Sequence, residues 1–442
     1  MERYIDKDFS LSTGGFMDQS IQREFELFDV LTVLRENEKD AIFRIGEGGS
    51  IGATPVIKDG VLYFGSCDKN FYAVEAATGR LVWKFRTDGP VCICRGCAIA
   101  GGRIYFGSYD HYLYCLGIDG SLIWRFKARD IVNSTPLVRE GIVYFGSKDQ
   151  NMYALDAEKG TMLWKFWTPG SISASPVWDD GIIYFGSFDK NLYAISAQGK
   201  LLWKYRTDDY VVEPVAVSDG IIYLPSTDRN LYALSAEGKL LWKYRTFGPC
   251  ASMPVARGGR VYFGCSDHNL YVLDAGTGRL LWKFKTRNII YGNPAVTDDR
   301  VYVCSCDQNL YALDLDGRQL WKYKTQGFAS SAPSAAGVIY FGSWDCHMYA
   351  VSSDGMLLWK FKAASSTQAP VTISLEHMQG MGAIPVGPAM ESRRGVEEAM
   401  PERRDNYGSL TSNYIRDGDD ELDITTMDGV TKQYRSSGKK YR

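Results

Sequence analysis

Histidine, net charge and long apolar runs are all scarce in this chain of 442 residues. Only four His occur, at 111, 268, 347 and 377, and none stands beside a nucleophile in sequence. Fifty Lys and Arg nearly balance 52 Asp and Glu, for a formal charge of −2. That balance removes the whole-chain electrostatic case for nucleic acid or an anionic membrane surface. No run of 18 or more apolar residues exists, so no membrane-spanning helix is expected. The opening MERYIDKDFS lacks an apolar leader, so no secretory signal is read and a cytoplasmic location is expected. There the ten Cys are expected as thiols or metal ligands rather than disulfides. Adjacent Cys pairs, Walker-type loops and dinucleotide Gly-rich motifs are absent.

What the chain has instead is aromatic residues and glycine: 28 Tyr, 20 Phe, 11 Trp and 45 Gly. Aromatics fill pleated surfaces and Gly supplies turn conformations, a mixture suited to many short strands. Both are organised by an internal repeat. Trp83, Trp124, Trp164, Trp203, Trp242, Trp282, Trp321 and Trp359 lie 38 to 41 residues apart, each in a segment such as LVWKF or LLWKY. In phase with them run YFGSCDKNFY (63–72), YFGSYDHYLY (105–114), YFGSKDQNMY (144–153) and YFGSFDKNLY (184–193), then YLPSTDRNLY (223–232), YFGCSDHNLY (262–271), YVCSCDQNLY (302–311) and YFGSWDCHMY (340–349).

Each unit reads as four strands joined by turn residues, the signature of a propeller blade. A small-residue segment ending in Pro opens the first strand, and Asp-Gly or Gly-Gly leads to the second. Asp-x-Asn leads to the third, and x-Gly leads to the fourth, which carries the Trp. The expected fold is all-β: an eight-bladed β-propeller of four-stranded antiparallel blades over 41–363. The Trp, one per blade, is the expected wedge between neighbours, since a buried Trp removes about 150–250 Å² from water. Two segments compete to close the ring: AIFRIG at 41–46 and LLWKFK at 357–362. The second is expected to complete blade eight.

The unit YFGSxDxNLYALDAxTGxLLWKFxT resembles the PQQ-like repeat of quinoprotein-type eight-bladed propellers. That superfamily holds secreted dehydrogenases and non-enzymatic scaffolds such as the outer-membrane barrel-assembly lipoprotein, so the resemblance implies the fold without choosing a function. In the dehydrogenases it implies PQQ and Ca²⁺ at the ring centre, a catalytic Asp and commonly two adjacent Cys in a disulfide. This sequence has minimal blades and no adjacent Cys pair. No cofactor is therefore expected, with PQQ and Ca²⁺ as the alternative.

Asp68, Asp110, Asp149, Asp189, Asp228, Asp267, Asp307 and Asp345 recur in every unit. Recurrence points to turn formation, because Asp bonds its own backbone two residues on. Cysteine departs from the repeat. Cys92, Cys94 and Cys97 form CxCxxC leading into blade two, and with Cys67 they could make a four-thiolate Zn²⁺ or iron–sulfur site. The alternative is that they are small buried hydrophobes. Nine of the ten Cys are expected on the rim where the Asp turns emerge, with Cys115 the exception. The same rim carries further departures from the repeat: Arg95, Glu213, Tyr291 and Asn293, with Lys69, Lys190 and Arg229 directly after turn Asp residues. A protein partner is expected there.

Two extensions flank the ring. Residues 1–40 hold five basic and ten acidic residues, and Ile21, Phe25, Phe28, Leu31 and Leu34 predict an amphipathic helix over 18–36. Residues 364–442 are richer in Met, Gly and Pro, hold ten basic and twelve acidic residues, and carry a candidate hairpin at 422–435 around Asp428-Gly429. The sequence favours a non-enzymatic scaffold that binds a protein through this rim and the extensions. The alternative is a PQQ- or metal-binding redox protein.

Overall fold

The computed structural model describes residues 49–91, 96–329, 334–335, 337–363 and 415–416. The expected helix at 18–36, the hairpin at 422–435, the segment 41–46 and residues Cys92, Cys94 and Arg95 lie outside them. The described residues form eight consecutive sheets, one per sequence repeat, each built on four antiparallel strands. Blade one runs through Val56–Lys58, Val61–Gly65, Asn70–Glu75 and Leu81–Arg86, from innermost to outermost strand. Blade eight ends on Leu357–Lys362, which pairs with His347–Ser352. The closing strand is therefore the C-terminal one, as the sequence suggested.

Period-2 alternation gives way to continuous burial in the second and third strands, because both faces of each sheet are covered by neighbouring blades. The apolar core is accordingly not one cluster but eight, each between adjacent blades. One unites Val56, Tyr63 and Phe71 of blade one with Ile99, Phe106 and Tyr114 of blade two. Another joins Phe64 and Tyr72 of blade one to Met348 and Trp359 of blade eight, closing the ring. The fourth strand is different: it alternates between inward Trp and Phe or Tyr and outward Lys or Arg. A register shift opposite Ala73–Val74, repeated in every blade, exposes two successive apolar residues such as Leu81 and Val82 at its start.

Repeated residues hold the blades together at both ends. Each Trp indole N–H donates to a backbone carbonyl of the next blade, from Trp83 to Ile118 through to Trp321 and Ser353, at 2.8–3.2 Å. Trp359 donates to Ala76 of blade one at 2.9 Å, the same joint across the ends of the ring. The ring face of each Trp lies on a glycine of the next turn: Gly79, Gly120, Gly160, Gly199, Gly238, Gly278, Gly317 and Gly355. All eight have φ between +69° and +85°, and a Cβ there would come within 2.5–2.9 Å of the indole. Only glycine meets both conditions. The Trp wedge is thus observed, although seven of the eight are half-buried and only Trp359 is nearly enclosed, at 2% exposure.

Candidate functional site: the aspartate rim

At the opposite end of each blade lies the turn between second and third strands, built by Asp-x-Asn. The Asp Oδ1 accepts the backbone N–H two residues on, at 3.0–3.1 Å in all eight blades. Its Oδ2 accepts the hydroxyl of the Tyr four residues on, from Tyr72 on Asp68 to Tyr349 on Asp345. In six blades Oδ2 also accepts a backbone N–H from the loop leaving the preceding blade: Asp88, Arg129, Asp208, Phe247, Arg287 and Gln326, at 2.9–3.0 Å. At Asp189 the equivalent loop residue is Pro169, which has no N–H to give. These contacts also show that the two kinds of loop share one rim, as the sequence pattern required.

The electrostatic consequence falls on the tyrosines. Burial first and the adjacent carboxylate second push the phenols of Tyr153, Tyr193 and Tyr311 well above their ordinary range. Asp345 moves the other way. Burial opposes its ionisation, yet hydrogen bonds from His347, Tyr349 and the Gln326 N–H hold it below the ordinary carboxylate value. His347 replaces the usual Asn, with Nδ1 2.8 Å from the Asp345 carbonyl. The eight aspartates are thereby committed to the turns.

One residue per turn is left without such a duty. Lys69, His111, Gln150, Lys190, Arg229, His268, Gln308 and Cys346 all stand between Asp and the third strand at φ of +68° to +73°. The left-handed backbone is fixed by the turn while the side chain changes from blade to blade. Lys69 and Arg229 are exposed. Lys190 donates to the Asp208 carbonyl at 3.1 Å and pairs with Asp209 at 3.6 Å. Beside Arg229 stands a residue missed in the sequence, Phe247, 81% exposed, with the Lys283 ammonium 5.9 Å above its ring. Its N–H is bound to Asp267 and the N–H of Thr246 to the Arg229 carbonyl, which fixes it to the rim. Its signal was the substitution of a bulky aromatic where the other loops carry Asp, Arg, Pro or Gln.

Other predicted rim residues sit differently. Glu213 is not a surface carboxylate: at 1% exposure it lies in the segment leading to the innermost strand, where other blades carry Ala, Ser or Gly. Asn293 is half-buried and its Oδ1 accepts the Met253 N–H at 2.8 Å, joining blades six and seven. Tyr291, also half-buried, neighbours it in sequence.

The thiol reading requires correction at Cys67, which is disulfide-bonded. Its sulfur is thus not available as a thiolate ligand, and the ten Cys are not uniformly reduced. Cys97 is buried in the apolar cluster between blades one and two, and burial pushes its thiol far up. Seven described Cys are free: 97, 115, 250, 265, 304, 306 and 346. Cys265 takes the place of a repeat Ser and makes the same contacts, donating toward the carbonyls of Gly248 and Pro249 at 3.2 and 3.3 Å. Cys115 lies in a strand opposite Trp124, away from the rim. Among the described residues no group of three or more His, Cys, Asp or Glu is arranged to hold a metal.

A family profile described as outer membrane protein assembly factor BamB (PQQ_2) matches residues 93–209, 163–283 and 251–372, well over half of the chain. The chain belongs to this family. Among curated relatives, it is 28% identical over 141 residues to the quinoprotein alcohol dehydrogenase PedH of Pseudomonas putida, covering 28% of this chain and 24% of that one. It is 26% identical over 117 residues to the outer membrane protein assembly factor BamB of Nitrosomonas eutropha, covering 26% and 28%. The chain thus spans about a quarter of the length of each of these relatives. The structure of BamB from Moraxella catarrhalis superposes with a TM-score of 0.57 at 15% identity, covering 69% of this chain and 95% of that one. A quinohemoprotein alcohol dehydrogenase from Pseudomonas putida gives 0.60 at 17%, covering 69% and 70%. At those identities the likeness establishes the propeller fold alone.

Proposed function

We propose that the protein is a non-enzymatic propeller scaffold that binds a protein partner through the aspartate rim, with the terminal extensions contributing. One observation carries this reading. The repeat commits all eight rim aspartates to turn contacts and six of them also to the neighbouring blade, while the residue after each varies. Variation on a rigid ring is what a recognition surface needs. The released side chains lean basic, with Lys69, His111, Lys190, Arg229 and His268 among them, and Phe247 stands exposed beside Arg229 and Lys283. An acidic partner surface with an apolar anchor fits that chemistry.

The names of the dehydrogenase relatives raise the alternative of PQQ with Ca²⁺ at the ring centre. The residues here do not suit it. At the position of Glu213 the other blades with a proline-ended approach carry Ala, Ser or Gly rather than a carboxylate, and the recurrent aspartates are engaged elsewhere.

Affinity capture from native extract separates the readings. The full chain should recover a protein that is lost with Lys69→Glu/Arg229→Glu/Phe247→Ser and kept with Glu158→Lys on the opposite rim. Equal recovery by both variants, or dehydrogenase turnover on addition of PQQ and Ca²⁺, would reject the scaffold reading.

A further inference from the structure

The innermost strand of a propeller blade has one edge paired within its sheet and one edge directed to the central channel. Such an edge is a template for another strand unless something blunts it. Seven of the eight blades here carry a proline at the approach to that strand: Pro55, Pro136, Pro176, Pro214, Pro254, Pro294 and Pro333. Proline has no N–H and resists pairing at an edge. Blade two alone has none directly before the strand, its nearest, Pro90, lying eight residues ahead of Ala98. Its approach reads Gly96-Cys97, and it is two residues longer than the approach in blades one and three.

The same blade differs in its strand count. Blade two is the only five-stranded sheet among the described residues. The extra strand is Ile415–Arg416, from the C-terminal extension, paired in parallel with the innermost strand Ala98–Ala100 in the register Ile415 to Ile99 and Arg416 to Ala100. Neighbouring side chains favour the arrangement. Cys97, Ala98, Ile99 and Ala100 are all buried, and Cys97 and Ile99 are held in the cluster between blades one and two. The acceptor strand is thus anchored by its side chains and leaves its backbone edge to the visitor. Two independent observations, a missing proline and an added strand, single out the same edge.

We propose that the inner edge of blade two is a docking site for an extended peptide strand, held in cis by residues 415–416 of this chain. The pairing is parallel, so the docked segment runs with Ala98–Ala100, from the aspartate rim toward the Gly101-Gly102 turn.

Amide hydrogen exchange on the full chain tests this. Those amides of 98–100 that face Ile415–Arg416 rather than Arg103–Tyr105 should exchange at least about tenfold faster in Ile415→Pro/Arg416→Pro than in the wild type, while those of 137–139, the equivalent strand of blade three, stay unchanged. A peptide of residues 410–421 added to that variant should restore protection at 98–100. Protection in the wild type should not depend on protein concentration. Unaltered exchange in the variant, or failure of the peptide at millimolar concentration to slow it, overturns the docking site. Protection that disappears on dilution overturns the assignment in cis.

Discussion

The two rims of this ring are joined by different chemistry, and the difference shows where the sequence has room to change. On the glycine rim each joint is a Trp face laid on a left-handed glycine, and no side chain can be added without collision. On the aspartate rim six of the joints include a carboxylate accepting an N–H from the neighbouring loop, and the adjacent left-handed residue varies in side chain from blade to blade. One rim therefore repeats nearly without exception, while the other accepts Lys, His, Gln, Arg and Cys at a single geometry. A joint made by backbone and carboxylate leaves a neighbouring position open, whereas a joint made by shape does not.

The comparison can be broken most severely at the glycine rim. Gly238→Val places a β-branched side chain at φ +77° against Trp203, with an expected loss of about 3–5 kcal/mol in urea denaturation. A loss under about 1 kcal/mol would mean that the turn moves away from the indole. Trp203→Ala removes the same joint from the other side and should cost about 3 kcal/mol, toward the low end for a Trp truncation because the ring is half-buried. On the aspartate rim Asp228→Ala strands the Tyr232 hydroxyl and the Asp208 N–H, for about 2 kcal/mol.

Asp345 sharpens the rim comparison through pH. Its folded-state ionisation lies below the ordinary aspartate value of 3.8, so its contribution is complete above that pH and is lost as the pH falls through the folded value. Acid titration of stability should therefore show a smaller loss in Asp345→Asn than in the wild type below about pH 4. Parallel acid profiles would show that this carboxylate has no part in acid stability. The smallest effect belongs to the released position. Arg229→Ala should change stability by less than about 0.5 kcal/mol, and Arg229→Gly should gain up to about 1 kcal/mol by relieving the left-handed backbone. Thermal denaturation of the pair suffices, and a loss with glycine would contradict the turn geometry.

Most of the fold was legible because it is periodic: the spacing of Trp, the Asp-x-Asn turns and the closing role of 357–362 derive from the repeat. The joints themselves were only partly so. That Trp lies between blades could be read, but that its partner is Gly238 or Gly79 could not, since nothing in sequence separates a turn glycine that permits φ from one that also admits an indole. The site was harder. Glu213 looked like a surface departure because burial is set by how eight segments converge on the axis, a property no single unit encodes. Phe247 escaped notice because its departure from the Asp, Arg, Pro or Gln of the other loops is faint among so many aromatics and gains weight only with its exposure. The disulfide at Cys67 was invisible to an argument from compartment, because it depends on what faces the turn. The missing proline of blade two, by contrast, stood in the sequence throughout and gained meaning only beside Ile415–Arg416.

One joint of the eight has no covalent connection across it. Seven neighbouring pairs of blades are tied by a short loop, which keeps their surfaces at high effective concentration. Blades eight and one meet only because the ring comes round, and their meeting must offset the entropy of closing a loop of some three hundred residues. It is there that the outermost strand is most deeply covered: Trp359 and Phe361 are 2% and 5% exposed, while their counterparts in the other blades are half-buried. Additional burial thus falls on the one joint that the chain itself does not tether. A seam of this kind makes the ring's integrity a property of its two end blades.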